Sequence, residues 1–195
     1  MRNLILLTAL YLLPALAGGE WGEAVLLRAQ QAAPEALIKN IRARYAEAMS
    51  NANQQLAGES MEGKNYSQST FHYVIPGCGP TTETLSYYYQ LNDDLEEDVP
   101  TYLLYLVTRK YNVAALQFYE EYLFDPETDK PLFVYYKYNN YDAPDGAAAE
   151  ERYYMDDGKI VWHTANEYGD RNDAAVLRAC HRLMQAFSYL LNSSF

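Results

Sequence analysis

The sequence predicts an α+β domain, an antiparallel β-meander sheet of about six or seven strands packed by an N-terminal and a C-terminal amphipathic helix. Three observations lead there. Apolar residues recur at three- and four-residue spacing near both ends of the chain, and between those stretches they alternate with a period of two. Within the alternating stretch, Asp157-Gly158 is a dipeptide suited to a type I′ hairpin turn. Strands are not interleaved with helices, which disfavours a Rossmann or TIM architecture and favours both helices on one face of the sheet. No repeat of about 20 to 50 residues of the solenoid type is visible.

Taken in order, residues 1–17 read as a secretory signal peptide. Met1-Arg2-Asn3 is a short basic start, Leu4 to Leu13 is apolar, Pro14 breaks the run, and Ala15-Leu16-Ala17 has the small-x-small pattern of a cleavage site. The run is too short for a membrane anchor, which needs about 20 apolar residues, and no later run is long enough. No cysteine follows it to take a lipid, the first being Cys78. The expected mature chain is residues 18–195, unanchored, in the periplasm or secreted, and it forms a single domain from residue 34. Residues 18–33 read as a tether or a short helix. Pro34 suits the first turn of a helix, where its missing N–H costs nothing. Leu37, Ile38, Ile41, Tyr45, Ala48, Met49, Ala52 and Leu56 then form one stripe, stopped by Gly58.

From Thr70 the period changes. Phe71 to Ile75 and Glu83 to Leu91 read as strands, the second with Leu85, Tyr87, Tyr89 and Leu91 on one face. The acidic stretch Asn92 to Asp98 reads as a loop, and Tyr102 to Tyr111 as a longer strand. Ala114 to Phe124 fits neither period cleanly, but the turn Asp125 to Asp129 and the strand Leu132 to Tyr138 after it favour strand. Asn139 to Glu150 reads as an exposed loop. A two-residue turn at Asp157-Gly158 pairs Met155 with Ile160 and Tyr153 with Trp162 on one face, and Tyr154 with Val161 and Arg152 with His163 on the other. Asp170 or Asn172 caps the last helix, whose stripe is Val176, Cys180, Leu183, Phe187 and Leu190.

Charge and composition exclude several function classes. The chain has 195 residues, 26 Asp+Glu against 15 Lys+Arg, and a net charge of −11, one unit more negative once Arg2 leaves with the leader. That balance opposes binding to nucleic acid or to anionic membranes. No cofactor is implied, because G-x-S-x-G, Walker A and G-x-G-x-x-G signatures are absent. His72, His163 and His181 share no metal-ligand spacing, so no metal site is expected. Placing Gly146 at the sixth position of a calcium loop puts Tyr141 and Arg152 at its first and last ligand positions, and neither can serve. The run from Asp93 to Asp98 reads as a solvated loop. No catalytic residue is assigned.

Two further features bear on function. Cys78 and Cys180 would form either a disulfide, closing a loop of about 100 residues, or two separate small hydrophobes. Their exported setting allows the bridge, while the apolar stripe around Cys180 suits the alternative. The 20 tyrosines concentrate on the expected strands. If one sheet face meets solvent, Tyr88, Tyr136, Tyr138, Tyr141 and Tyr154 become a binding surface, since tyrosine joins a broad apolar ring to a polar tip. High strand propensity alone would also place them there.

The strings Thr108 to Asn112, Glu120 to Thr128 and Glu151 to Trp162 resemble a group of exported proteins of unknown function from anaerobic Gram-negative bacteria. The resemblance covers residues 34 to 165 and implies a periplasmic or secreted setting, with no catalytic residues to carry over. The function expected is an exported, soluble binding or interaction protein. It would hold a protein, glycan or apolar ligand on a tyrosine-rich sheet face or its rim loops. The alternative is an exported hydrolase with carboxylates that sequence does not reveal.

Overall fold

In a computed structural model of the chain, the structure describes residues 21–92, 101–139, 148–166, 169 and 171–192, with backbone alone for 21–33 and 192. The expected signal peptide, the acidic run from Asp93 to Asp98, Tyr141 and the candidate cap Asp170 lie outside the described residues. The elements are α1 (Trp21–Leu56), β1 (Lys64–Ile75), β2 (Gly79–Leu91), β3 (Tyr102–Val113), β4 (Leu116–Phe124), β5 (Pro131–Asn139), β6 (Ala148–Asp156), β7 (Lys159–Ala165) and α2 (Asp173–Asn192). The strands form one antiparallel sheet in chain order, β1-β2-β3-β4-β5-β6-β7, a meander with a helix before it and a helix after it.

The helices pack on opposite faces of the sheet, not on one. Ile41, Ala48 and Ala52 of α1 are buried with Tyr88, Tyr105, Leu106, Leu123, Phe133 and Tyr154. Val176, Cys180 and Phe187 of α2 are buried with Tyr87, Leu104, Val107, Tyr122, Phe124, Val134, Tyr136, Tyr153 and Met155. The reason lies in consecutive pairs such as Tyr87-Tyr88, Tyr122-Leu123, Phe133-Val134 and Tyr153-Tyr154. Neighbouring strand residues point to opposite faces, so a strand apolar at consecutive positions needs a cover on both sides.

Four local details differ from expectation. Helix α1 starts at Trp21 and carries Pro34 in its interior, where proline keeps a helical φ and forgoes one backbone bond. Strand β1 begins at Lys64, seven residues before Phe71. Its first half, Asn65 to Thr70, is polar because β1 is an edge strand with most residues exposed, so no apolar alternation marks it. Ala114, at φ 52°, forms the tight turn that separates β3 from β4. The β6–β7 hairpin turns at Asp157-Gly158, both at positive φ as a type I′ turn requires, and Met155 pairs with Ile160. A register shift between Tyr154 and Met155 then pairs Tyr154 with Trp162 and Tyr153 with His163, one residue away from the expected pairing.

The helix ends follow their residues. Gly58, at φ 84°, ends α1 with bonds from Gly58 N–H to the Gln55 carbonyl and from Glu59 N–H to the Gln54 carbonyl, a Schellman motif. Asn172 caps α2, its Oδ1 accepting the Ala174 N–H at 2.8 Å.

Candidate functional site

Both helices cross the sheet from the β6 side toward β2. From α1, Arg42 meets Tyr154 on β6, Tyr45 meets Glu121 on β4, and Gln55 meets Tyr105 on β3. From α2, Val176 and Cys180 lie over the middle strands, and the Phe187 ring lies 5.8 Å from Tyr87 and 5.4 Å from Tyr89. The rows of residues nearest the β1–β2, β3–β4 and β5–β6 connections lie beyond both helices. That end of the sheet is the candidate site.

On the α1 face it forms a groove of about 540 Å³ lined by Thr82, Thr84, Lys110, Asn112, Gln117, Tyr119, Lys137 and Asn139, with Tyr111, Phe118 and Tyr138 contributing from the same strands. Two cross-strand rows make it, one running Thr84–Lys110–Tyr119–Lys137 and the other ending in Asn139 opposite Ala148. Lys110 Nζ stands 5.4 Å from the centre of the Tyr119 ring. The Tyr119 and Tyr45 hydroxyls both donate to Glu121, which anchors the groove floor to α1. Burial first, and then the Glu121 carboxylate, push both phenols well above their ordinary pKa. Lys137 pairs with Glu150 at 3.3 Å, and Arg152 holds the same carboxylate at 2.8 Å. Lys137 and Arg152 therefore bring two cations to one surface carboxylate, and Lys110 lies in the same row two strands from Lys137, in a chain whose net charge is −11.

The α2 face carries buried carboxylates. Glu120, 1% exposed, accepts from Arg109 (3.3 Å), Arg171 (3.3 Å), Tyr111 (2.9 Å) and Tyr122 (2.6 Å). Tyr122 has one proton and gives it to Glu120, so at 3.0 Å it accepts from Tyr136. The Arg171 guanidinium lies 3.6 Å from the centre of the Tyr136 ring. Arg109 also donates to Glu83 at 2.7 Å. Burial raises the Glu83 carboxyl, but hydrogen bonds from Arg109 and Tyr73 outweigh it and leave its pKa below the ordinary value. Tyr111 is pushed up to about 12, by burial and then by Glu120. Glu151, also 1% exposed, meets the Tyr153 hydroxyl and the Arg171 N–H, with His163 Nε2 at 3.6 Å. A carboxylate offers about four acceptor sites, and Glu120 has all four filled. It serves as a structural hub with no site left for a substrate proton.

Three asparagines close the sheet at this end. Asn112 accepts the Thr82 N–H and donates to the Pro80 carbonyl, Asn139 does the same with Gln117 and Ala115, and Asn166 with Glu150 and Ala148. Each side-chain amide stands in for one peptide of the next strand, bonding residue i and residue i−2 of the strand before it. The three positions are evenly spaced, Asn139 lying 27 residues after Asn112 and 27 before Asn166. Val107-Thr108-Arg109-Lys110-Tyr111-Asn112 and Val134-Tyr135-Tyr136-Lys137-Tyr138-Asn139 share Val-x-x-Lys-Tyr-Asn at that spacing. This shared string is the trace in sequence of both the groove lysines and the closing amides. It is a repeat of hairpin ends within one sheet, and no solenoid follows from it.

The residues singled out from sequence separate. Tyr88, Tyr136 and Tyr154 are at most 2% exposed and form core, because each face is covered by a helix. They present no surface to a ligand. Tyr138 is half-buried, stacked on Phe118 at 5.4 Å, which itself stacks on Tyr111 at 4.7 Å. Cys78 and Cys180 are both free, the first exposed in the β1–β2 turn and the second buried under α2. Burial pushes the Cys180 thiol up to about 12, which keeps it protonated. His72 lies on β1 against Thr82, and His163 stacks on Tyr153 at 4.2 Å. Among the described residues, no three His, Cys, Asp or Glu side chains group as a metal site, and no helix is long and apolar enough to cross a membrane. No family model matches this chain, nor does a curated protein or a solved structure.

Proposed function

We propose that this protein is an exported, non-enzymatic binding protein that holds a glycan carrying acidic groups in the groove on the α1 face. The observation that carries the reading is the groove itself. Its volume of about 540 Å³ lies within the range of ligand sites. Its rows offer a tyrosine ring beside cationic and amide donors (Lys110, Lys137, Gln117), and a sugar presents both a C–H face and hydroxyls to such a surface. The two lysines that line the groove, Lys110 and Lys137, favour an acidic sugar over a neutral one. The leader-like residues 1–17 support export to the periplasm or the medium. A hydrolase reading gains nothing from Glu120, whose acceptor sites are all filled.

The test is calorimetric titration of the purified protein with acidic and neutral oligosaccharides. Acidic oligosaccharides should bind, and Lys110→Ala with Gln117→Ala should weaken them about tenfold or more, as expected for one charged and one neutral hydrogen bond lost. Absence of heat with every saccharide would sink the reading.

A further inference from the structure

The two edges of the sheet are protected very differently. Strand β7 is 7 residues long and pairs through a register shift, two devices that keep an edge from pairing with another chain. Strand β1 has neither of them. It is 12 residues long, contains no proline, carries Lys64 as its one charged residue, and pairs with β2 in unbroken register from Lys64 to Ile75. Its apolar side chains reach solvent, with Val74 72%, Phe71 49%, Tyr66 44% and Tyr73 40% exposed. Exposed large apolar residues along an open edge mark an interaction surface.

We infer that the free edge of β1 pairs antiparallel with the same edge of a second copy, joining two seven-stranded sheets into one. Two features commit the edge to its own copy. The first is charge: each copy carries −11, so two copies repel over most of their surfaces, and β1 is a stretch with no acidic residue. The second is self-complementarity, which an isologous two-fold interface demands. A two-fold axis at Thr70 sets Tyr66 opposite the second copy's Val74, Gln68 opposite His72, and Phe71 opposite Ser69. The Tyr66–Val74 contact occurs twice, and aromatic with β-branched is a favoured cross-strand pair. Two such strands make about ten ladder hydrogen bonds, as many as a typical protein interface carries. The strip is about 40 Å long and one sheet thick, smaller than a standard interface, so association is weak and concentration-dependent.

Sedimentation equilibrium of the purified protein across the micromolar range tests the inference. Expected is a reversible monomer–dimer equilibrium that Thr70→Lys weakens at least tenfold, because it sets two cations face to face at the axis. Thr164→Lys, at an exposed position on β7, should leave it unchanged. Thr70 is exposed, so the variant should keep the wild-type circular dichroism spectrum and melting temperature. In the dimer, amide exchange in β1 should slow as protein concentration rises. A protein that stays monomeric, a dimer that persists in Thr70→Lys, or one that Thr164→Lys dissociates would each overturn the inference.

Discussion

Glu120 shows how much a single residue settles. Its carboxylate is almost fully buried and joins Arg109 on β3, Tyr111 on β3, Tyr122 on β4 and Arg171, two residues before α2. A buried charge is tolerated when every lone pair is filled, and removing it strands its partners. Glu120→Gln should therefore destabilise the protein by about 2 to 3 kcal/mol, the scale of hydrogen bonds to charged groups, measured by urea unfolding. A loss below about 0.5 kcal/mol, the range of ordinary surface substitutions, would show that the guanidinia find water instead. Sequence alone could not separate Glu120 from Glu127 or Glu150. What distinguishes it is the strand parity that sets it on the α2 face, between two arginines that are distant in the chain.

At the scale of elements, the hairpins repeat one solution. A returning strand ends in asparagine, and its amide continues the ladder where the backbone stops. Asn139→Ala removes the bonds to the Gln117 N–H and the Ala115 carbonyl. The cost should be about 1 to 2 kcal/mol, for two neutral hydrogen bonds near solvent. Hydrogen exchange should quicken at Gln117 while the Tyr122 and Leu123 amides keep their protection, and uniform loss of protection would deny the amide a local role. Sequence did mark the elements themselves. Period-two runs, Gly58, the alternative caps Asp170 and Asn172, and Asp157-Gly158 marked strands, caps and turn by local chemistry. It misjudged the start of β1 and the β6–β7 register, because an exposed edge needs no alternation and a bulge leaves no fixed residue signature.

For the whole molecule, the titrating groups define two limits of stability. Tyr105, Tyr111 and Tyr135 are raised to about 12, burial being the first cause in each, whereas an unfolded tyrosine ionises near pH 10. Above about pH 10 the unfolded chain sheds these protons first, so stability is full below that value and falls as pH rises toward the native pKa values. The melting temperature should drop through that window, with tyrosinate absorbance rising together with unfolding. Tyrosines that ionised near pH 10 with no change in melting would contradict the burial described. On the acid side, Glu83, Asp125 and Glu150 are held below their ordinary values by Arg109, Arg44 and Arg152, against the opposing effect of burial. Their stabilisation is present above the unfolded carboxylate values and is lost as pH falls through the lower native ones.

The sequence by itself determined that this chain forms a meander with a helix at each end, since periodicity, caps and turn dipeptides are local properties. Only the tertiary structure decided which tyrosines are surface. Tyr88 and Tyr154 lie on one face and Tyr136 on the other, and with both helices on one side one of those faces would be open to a ligand. Once α1 and α2 cover opposite faces all three are core, and the available surface moves to the end of the sheet beyond both helices. Local pattern specifies that a strand has two apolar faces, but the assignment of a cover to each depends on where distant segments pack.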